Sequence, residues 1–451
     1  MKVVVGGAGK LGSSLIHELY HEGHKVTVID TIEATLDKIQ NQEDVQTVVG
    51  SITSIDIQQE ADVQNCDVFI AATDSDEVNV TGAIIARMLG AKHTMARMRD
   101  IEYASYTGFV RDSLGISYLM NPEYDVARHL AEMLEYPAVY GLERFISGNI
   151  TMMEGVPRQG SHLIGMNLRS FRRHYPSLII TAVERDNDVF IPGGDFTLQG
   201  HDRILATGLS QDLRELYSEF ANNRARLESV LIVGGGRIAH YLLGRIHRSH
   251  FKITLIERDE ARAMALAAEF PEVRVIIGDG TDLTVLDELQ LEKLDIMFAL
   301  TGMDEQNVML SLYADSKGVT RTVCKVNRTN MLPLLSSLGL QTIITPHSLA
   351  AVGAMRYIRS RDSAQAFAMD AHYRLMNDRV NVLEYKLLKE SNLLGIPISE
   401  LSLHPETLVA FIYRKGKIIF PQGSDVFHKG DRIALVTKST QHTDLEELIW
   451  T

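Results

Sequence analysis

Cysteine is nearly absent: the 451 residues hold two, Cys66 and Cys324. They lie far apart, each beside an apolar run, so they read as buried free thiols that suit a reducing compartment. Long apolar runs are missing as well, and no stretch approaches the roughly 18 residues a membrane span needs. Positive charge is in deficit. The formal net charge is −13, which argues against an extended surface for nucleic acid or for direct contact with anionic lipid. The chain opens MKVVVGGAG and enters a strand at once, so no signal peptide is expected. The expectation is a cytosolic protein, or one held at a membrane only through a partner. The remainder is ordinary for globular protein, 45% apolar and 23% charged. Its length calls for roughly two to four domains.

What is present is a repeat. KVVVGGAGKLGSSL near the start returns as SVLIVGGGRIAHYL at 229–242, pairing Gly7 with Gly234, Gly9 with Gly236 and Gly12 with Ala239 at a constant offset of 227. Asp30 in KVTVID pairs with Glu257 in KITLIE at the same offset. DVFIAATDSDEVN then pairs with DIMFALTGMDEQN, setting Thr73 against Thr301, and TMARMR pairs with TVCKVN, setting Arg97 against Lys325. Each repeat alternates short β-branched runs with helical segments, the pattern of a doubly wound parallel sheet. Strands are expected near 2–6, 25–30, 45–49, 67–72, 93–98 and 116–120. In the second repeat they are expected near 229–233, 252–256, 273–277, 295–300, 321–326 and 341–345. A smaller, strand-rich α+β unit follows each: VFIPGGDFTLQGHDRILATG is echoed by KIIFPQGSDVFHKGDRIALVT, with Asp202 and Asp431 offset by 229. The expected domains are 1–138, 139–220, 228–365 and 375–451. Junctions fall near 136–140, 218–228 and 365–380, with 217–229 a helical linker.

Two fingerprints overlap at residues 7–21, GAGKLGSSLIHELYH. One is G-x-G-x-x-G, a dinucleotide-binding loop; the other is H-E-x-x-H, a zinc helix. Position favours the first. The loop follows an apolar strand and opens a helix, where Gly7 allows the tight turn, Gly9 lets backbone approach a pyrophosphate and Gly12 allows close helix packing. Ala8, Lys10 and Leu11 complete the loop, and helix N–H groups face the phosphates. Asp30 closes the second strand, where a carboxylate takes ribose hydroxyls. His17 and His21 lie about 200° from the Leu11, Leu15, Leu19 stripe and face solvent. The sequence offers them no third ligand, and the equivalent positions in the second repeat are Gly244 and Arg248. No metal site and no catalytic residue are expected.

The second loop, Gly234, Gly235, Gly236, Arg237, Ile238 and Ala239, carries alanine at the third position, which the fold tolerates. Acidic Asp30 and Glu257 favour a free 2′-hydroxyl, hence NAD-type or adenosine nucleotides rather than NADP. Ser51, Ile52 and Thr53, and Asp279, Gly280 and Thr281, follow the third strands, where an adenine edge would lie. Ala72 with Thr73, and Leu300 with Thr301, end the fourth strands, with helix capping as the alternative role of the threonines. Arg97 and Lys325 end the fifth strands and suit phosphate charge. The apolar stretches 127–136 and 349–358 are candidates for pairing between the two repeats; packing on their own sheets is the alternative. The small units could hold a second effector or only an oligomer contact. His162, His174 and His201 are scattered in sequence and read as surface histidines.

In this order of parts the chain resembles the RCK (regulator of potassium conductance) family, as tandem TrkA-N and TrkA-C domains. The carriers are GGAGKLG with Asp30, GGGRIA with Glu257, GDGTD at 278–282, AATDSDEVN and ALTGMDEQN, and the LIG…PGGD…GHDRI and LLG…PQGSD…KGDRI units. The resemblance implies a regulatory subunit rather than an enzyme, working with a Trk-type membrane potassium transporter at the cytoplasmic face of the cell membrane. It also implies binding of NAD or NADH, or of ATP and ADP, and a homotetramer presenting eight Rossmann units in a ring. GSITS stands where the second repeat has GDGTD, so Ser51 replaces Asp279 and the sites are expected to differ. The rival class is an NAD-dependent oxidoreductase, which would need a substrate domain that presents an acid or base to the cofactor.

Overall fold

A computed structural model describes residues 1–101, 108, 113–145, 150–186, 188–221, 227–328, 335, 338, 340, 342–362, 367–376, 379–387, 393–438 and 445–450. It divides into two compact units, Met1–Leu134 with Leu227–Met355, and Glu135–Arg226 with Arg356–Thr451. The later part of the expected linker, 222–226, and residue 341 of the last expected strand lie outside the described residues.

In the first unit each repeat forms a six-stranded sheet in the order 3-2-1-4-5-6. The strands of the first repeat are Lys2–Gly6, Lys25–Asp30, Gln46–Val49, Val68–Ala71, His93–Arg97 and Tyr118–Met120. Those of the second are Ser229–Val233, Lys252–Glu257, Arg274–Ile277, Ile296–Ala299, Arg321–Lys325 and Ile343–Ile344. Each begins and ends within about two residues of its expected place, and all pairings are parallel. Continuous β-branched runs explain this, because a central parallel strand is covered on both faces. Val3, Val4 and Val5, and Val230 through Val233, are all buried. The strand order reverses between the first and fourth strands, where open α/β sheets place a ligand crevice.

The helix Lys10–His21 turns Leu11, Leu15 and Leu19 inward and leaves His17 and His21 outside. After the sixth strand, the helix Pro122–Glu135 does not stay with its own sheet. Its buried stripe of Val126, Ala127, Leu130 and Leu134 joins the core of the second repeat, with Ile238, Leu242 and Ile246. Polar contacts flank the join: Asn121 Nδ2 donates to Tyr241 Oη at 3.0 Å, and Tyr241 Oη donates to the Arg99 carbonyl at 3.1 Å. Arg245 donates to Tyr124 Oη at 2.6 Å. On the other repeat's helix, Pro346–Asp362, a Cβ built on Gly353 would lie 3.0 Å from the Tyr118 hydroxyl of the first repeat. The first of the two candidate stretches therefore pairs the repeats within one chain, and the second approaches the first repeat at Gly353.

The second unit holds two five-stranded antiparallel sheets that share one topology, 4-3-5-2-1 by position in each. The stretch 365–380, expected as a junction, contains the strand Phe367–Leu375, which pairs with Val380–Leu387. A shared core including Phe145, Met152, Leu205, Val382, Phe411 and Val436 joins the two modules. Asp202 and Asp431 are buried, and each takes a two-pronged bond from an arginine: Arg185 at 2.7 and 2.7 Å, Arg414 at 2.9 and 2.7 Å. The echo read in sequence is thus a buried ion pair built twice.

Truncating Leu130 to alanine removes the centre of the exchanged stripe and is expected to cost about 2–5 kcal/mol. Chemical denaturation of Leu130→Ala against the parent chain checks this. A loss under 1 kcal/mol would mean the helix contributes little to joining the repeats.

Candidate functional site

The three glycines of the first loop have three distinct surroundings. Gly7 has φ +97°, and a Cβ there would lie 2.7 Å from the Thr73 amide nitrogen. A Cβ on Gly12 would strike the Gly7 carbonyl, so the helix can begin this close to the loop only without one. At Gly9, the helix N-cap, a Cβ would meet nothing within 4 Å. Backbone N–H groups there face open space, which suits an anion. The second loop repeats the geometry, with Gly234 at φ +104° and Gly236 open.

The carboxylates at the second-strand ends hold these loops. Asp30 accepts the Ala8 N–H at 2.6 Å and the Ile32 N–H at 2.8 Å. Glu257 accepts the Gly235 N–H at 2.6 Å and the Asp259 N–H at 2.8 Å. Each oxygen keeps a further lone pair for a ligand hydroxyl, so the residue that was read as a ribose acceptor is also the latch of its own loop.

Past the third strands the two repeats share a turn with different chemistry. Asp279 accepts the Thr281 N–H at 2.9 Å and its hydroxyl at 2.7 Å, and these two bonds hold its carboxyl below the usual range. Ser51 makes the same pair of contacts with Thr53, at 3.2 and 2.8 Å, without a charge. Ile52 is core rather than pocket: its side chain is buried beneath Gly6 and Gly82. Leu11, Ile238 and Ala239 are likewise buried, contributing backbone only.

At the fourth-strand ends, Thr73 does not cap a helix. Its N–H and hydroxyl both donate to Asn79 Oδ1, at 2.8 and 2.7 Å, while Asn79 Nδ2 donates to the Thr73 and Arg97 carbonyls at 3.1 Å each. Ser75 supplies the cap instead, accepting the Val78 N–H. Thr301 and Asn307 repeat the network, with Asn307 reaching the Lys325 carbonyl at 2.9 Å. Both asparagines are wholly buried. The sequence reading paired them without assigning them a role. Their signal was a polar residue at one offset in both repeats, on the inner side of a helix.

Arg97 is 5% exposed, reaches Asp74 at 3.2 Å, and leaves Nε with no hydrogen-bond partner among the described residues. Burial, and then the Arg99 charge, lower its pKa. His347, on the second repeat's helix, feels both Arg97 and Lys10; burial and these charges push its pKa down to about 4. In the second repeat a cavity of about 290 Å³ is lined by Gly234, Gly236, Glu257, Asp279, Gly280, Thr281, Leu300, Thr301 and Lys325. Arg258, Met303 and Gln306, which the sequence reading missed, line it too. Arg237 is exposed at the start of its helix and is not among the lining residues.

The model of the TrkA-N domain matches residues 3–122 and 230–346, and that of the TrkA-C domain matches 154–221 and 382–449. The chain belongs to the TrkA-N/TrkA-C family. It is 26% identical to Trk system potassium uptake protein TrkA homolog 2 of Methanosarcina mazei over 99% of this chain and all of that one. It is also 26% identical to Trk system potassium uptake protein TrkA of Halomonas elongata, over 99% and 98%. Among solved structures it resembles the GsuK RCK domain, with a TM-score of 0.63, 18% identity, and 98% and 93% of the two chains covered. The GsuK channel bound to NAD aligns with a TM-score of 0.64 at 18% identity, covering 99% of this chain and 78% of that one. The TrkA-N matches span both glycine loops and both asparagine networks.

His162, His174 and His201 are all exposed, as expected of surface histidines. His162 and His174, scattered in sequence, come together with ring centroids 5.5 Å apart, and His162 lies 3.1 Å from Glu219. The short helix Leu168–His174 carries one to the loop that holds the other. Beside His17 and His21, which the sequence left without a neighbouring carboxylate, lies Glu43, 2.7 Å from His17. The helix Glu33–Gln40 ends just before it and delivers it to their face.

Asn79→Ala strips Thr73 and the Arg97 carbonyl of partners in a dry site and is expected to cost about 1–3 kcal/mol by thermal or chemical unfolding. His347 carries a second expectation. Because its folded pKa lies below the ordinary value near 6.5, the unfolded chain binds the extra proton, and stability contributed by neutral His347 is lost as pH falls from about 6.5 toward 4. Relative to His347→Gln, the ligand-free parent is expected to lose up to roughly 2–3 kcal/mol across that window, allowing for partial screening. Parallel pH–stability profiles would sink the idea.

Proposed function

We propose that this chain is a nucleotide-binding regulatory subunit of a Trk-type potassium uptake system. It acts from the cytoplasmic face of the membrane through a membrane-embedded transporter partner. The observation that carries the nucleotide reading is the loop geometry built twice. A helix N-terminus opens at a side-chain-free Gly9 or Gly236 and is latched by an acidic second-strand residue, and the first repeat adds a buried arginine at its fifth-strand end whose Nε has no hydrogen-bond partner among the described residues. These groups fit a ligand with an anionic phosphate end and a ribose, and the acidic residues favour a free 2′-hydroxyl. NAD or NADH is the first candidate, and ATP or ADP the second. The GsuK structures include NAD-bound and ADP-bound forms, and the full-length relatives are potassium uptake proteins.

The mechanism is a shift between arrangements of the two repeats. Gly9 and Lys10 hold the phosphate end, Asp30 the ribose, and Arg97 the remaining charge, and the charges of Arg97 and Lys10 reach His347 of the other repeat. Binding shifts the equilibrium only as far as these groups hold the nucleotide more tightly in one arrangement than in the other. The tandem chain fits a homotetramer of eight Rossmann units.

Calorimetric titration of the purified chain with NADH, NAD, ATP and ADP is the test. One or two sites per chain and unchanged ligand after incubation support a sensor; turnover of the ligand supports an enzyme and overturns it. Arg97→Met removes the charged hydrogen-bond donor and is expected to weaken the first site by about 1.5–3 kcal/mol, roughly tenfold to a hundredfold, with the second site unchanged. Equal affinity in parent and variant would remove Arg97 from the pocket.

A further inference from the structure

The exposed face of the glycine-loop helix carries a second constellation that nucleotide binding does not use. His17 and His21 stand one turn apart, with side chains 59% and 57% exposed and ring centroids 4.1 Å apart. Glu43 reaches them from the loop after the helix Glu33–Gln40. Its Oε1 is 2.7 Å from His17 Nδ1, and its Oε2 is 3.9 Å from His21 Nδ1. One donor atom from each of the three lies within 4.8 Å of the others. The geometry points to a binding site for a divalent transition metal ion, with His17, His21 and Glu43 as its ligands.

The donor set is that of a three-ligand zinc site, two imidazoles and one carboxylate, with the fourth position left to water. Tetrahedral zinc with bonds of about 2.0–2.2 Å places its ligands roughly 3.4 Å apart. The two exposed imidazoles can close toward Glu43 to that spacing by side-chain rotation, with no backbone movement. A hydrogen bond from His21 Nδ1 to the His17 carbonyl at 2.9 Å orients the ring, the kind of outer contact that steadies a metal-binding histidine. His21 is also the last residue of its helix, where the dipole favours a cation.

The second repeat excludes the same site. Gly244 and Arg248 replace the histidines, and Phe270 stands in place of Glu43, packed against His240 and His247. An ion bound here would tie the far end of the glycine-loop helix to the loop after the next helix. It would thus bracket the strand that ends in Asp30 in the first repeat alone.

The test uses the full chain without an affinity tag. Zinc chloride is titrated in competition with a chromophoric chelator, against His17→Ala, His21→Ala and Glu43→Gln, with circular dichroism to confirm the fold of each. The parent is expected to take up one zinc per chain and to melt at a higher temperature with it. Each variant is expected to bind about tenfold or more weakly and to lose that rise. No uptake by the parent, or affinity unchanged in the histidine variants, overturns the site. Affinity lost in the histidine variants but unchanged in Glu43→Gln overturns the three-ligand assignment. Nucleotide titration of the same samples is a separate readout, so the two proposals fail independently.

Discussion

The burial of one helix from the first repeat in the core of the second is the constraint on which the rest of the first unit depends. Val126, Ala127, Leu130 and Leu134 are buried in one core with Ile238, Leu242 and Ile246. Two Rossmann-like units that could have been beads on a string thereby become one body. Because Ile238 and Leu242 belong to the helix that opens at the second glycine loop, the join sits on an element of that site. The charges of Arg97 and Lys10 in turn reach His347 of the second repeat.

Within each repeat a single buried amide does comparable work at shorter range. Asn79 ties the fourth-strand end, the following helix and the fifth-strand end into one hydrogen-bonded corner, and Asn307 does so in the second repeat. The corner carries Thr73 and Arg97, or Thr301 and Lys325, at fixed separation. Their backbone polar groups are spent internally, and the Arg97 side chain reaches Asp74 while leaving Nε without a hydrogen-bond partner among the described residues. An arginine buried in this way is a poor choice for stability alone.

Duplication preserved this frame and varied what is attached to it. The turn after the third strand is the same in both repeats, but Asp279 places a negative charge where Ser51 places none. The fifth strand ends in Arg97, a planar fork, or in Lys325, a compact ammonium, and these differ in how they hold phosphate. The outer corner is a histidine–carboxylate cluster in one repeat and an aromatic cluster around Phe270 in the other. The two halves therefore differ in charge after the third strand and in the cation that ends the fifth.

The sequence by itself determined the strand positions, the parallel sheets, the glycine loops and the buried thiols. All of these follow from local periodicity and from backbone demands that only glycine meets. The latching role of Asp30 was half legible: its place at a strand end marks it as a site residue, but the bond to Ala8 depends on how the loop folds back. Only the tertiary structure decided that the helix Pro122–Glu135 leaves its own sheet, because an apolar stripe records that a face must be buried and not which surface buries it. The same holds for Glu43 beside His17 and His21. Residues 22 positions apart become neighbours through the path of the intervening strand and helix, and side-chain chemistry carries no memory of that path.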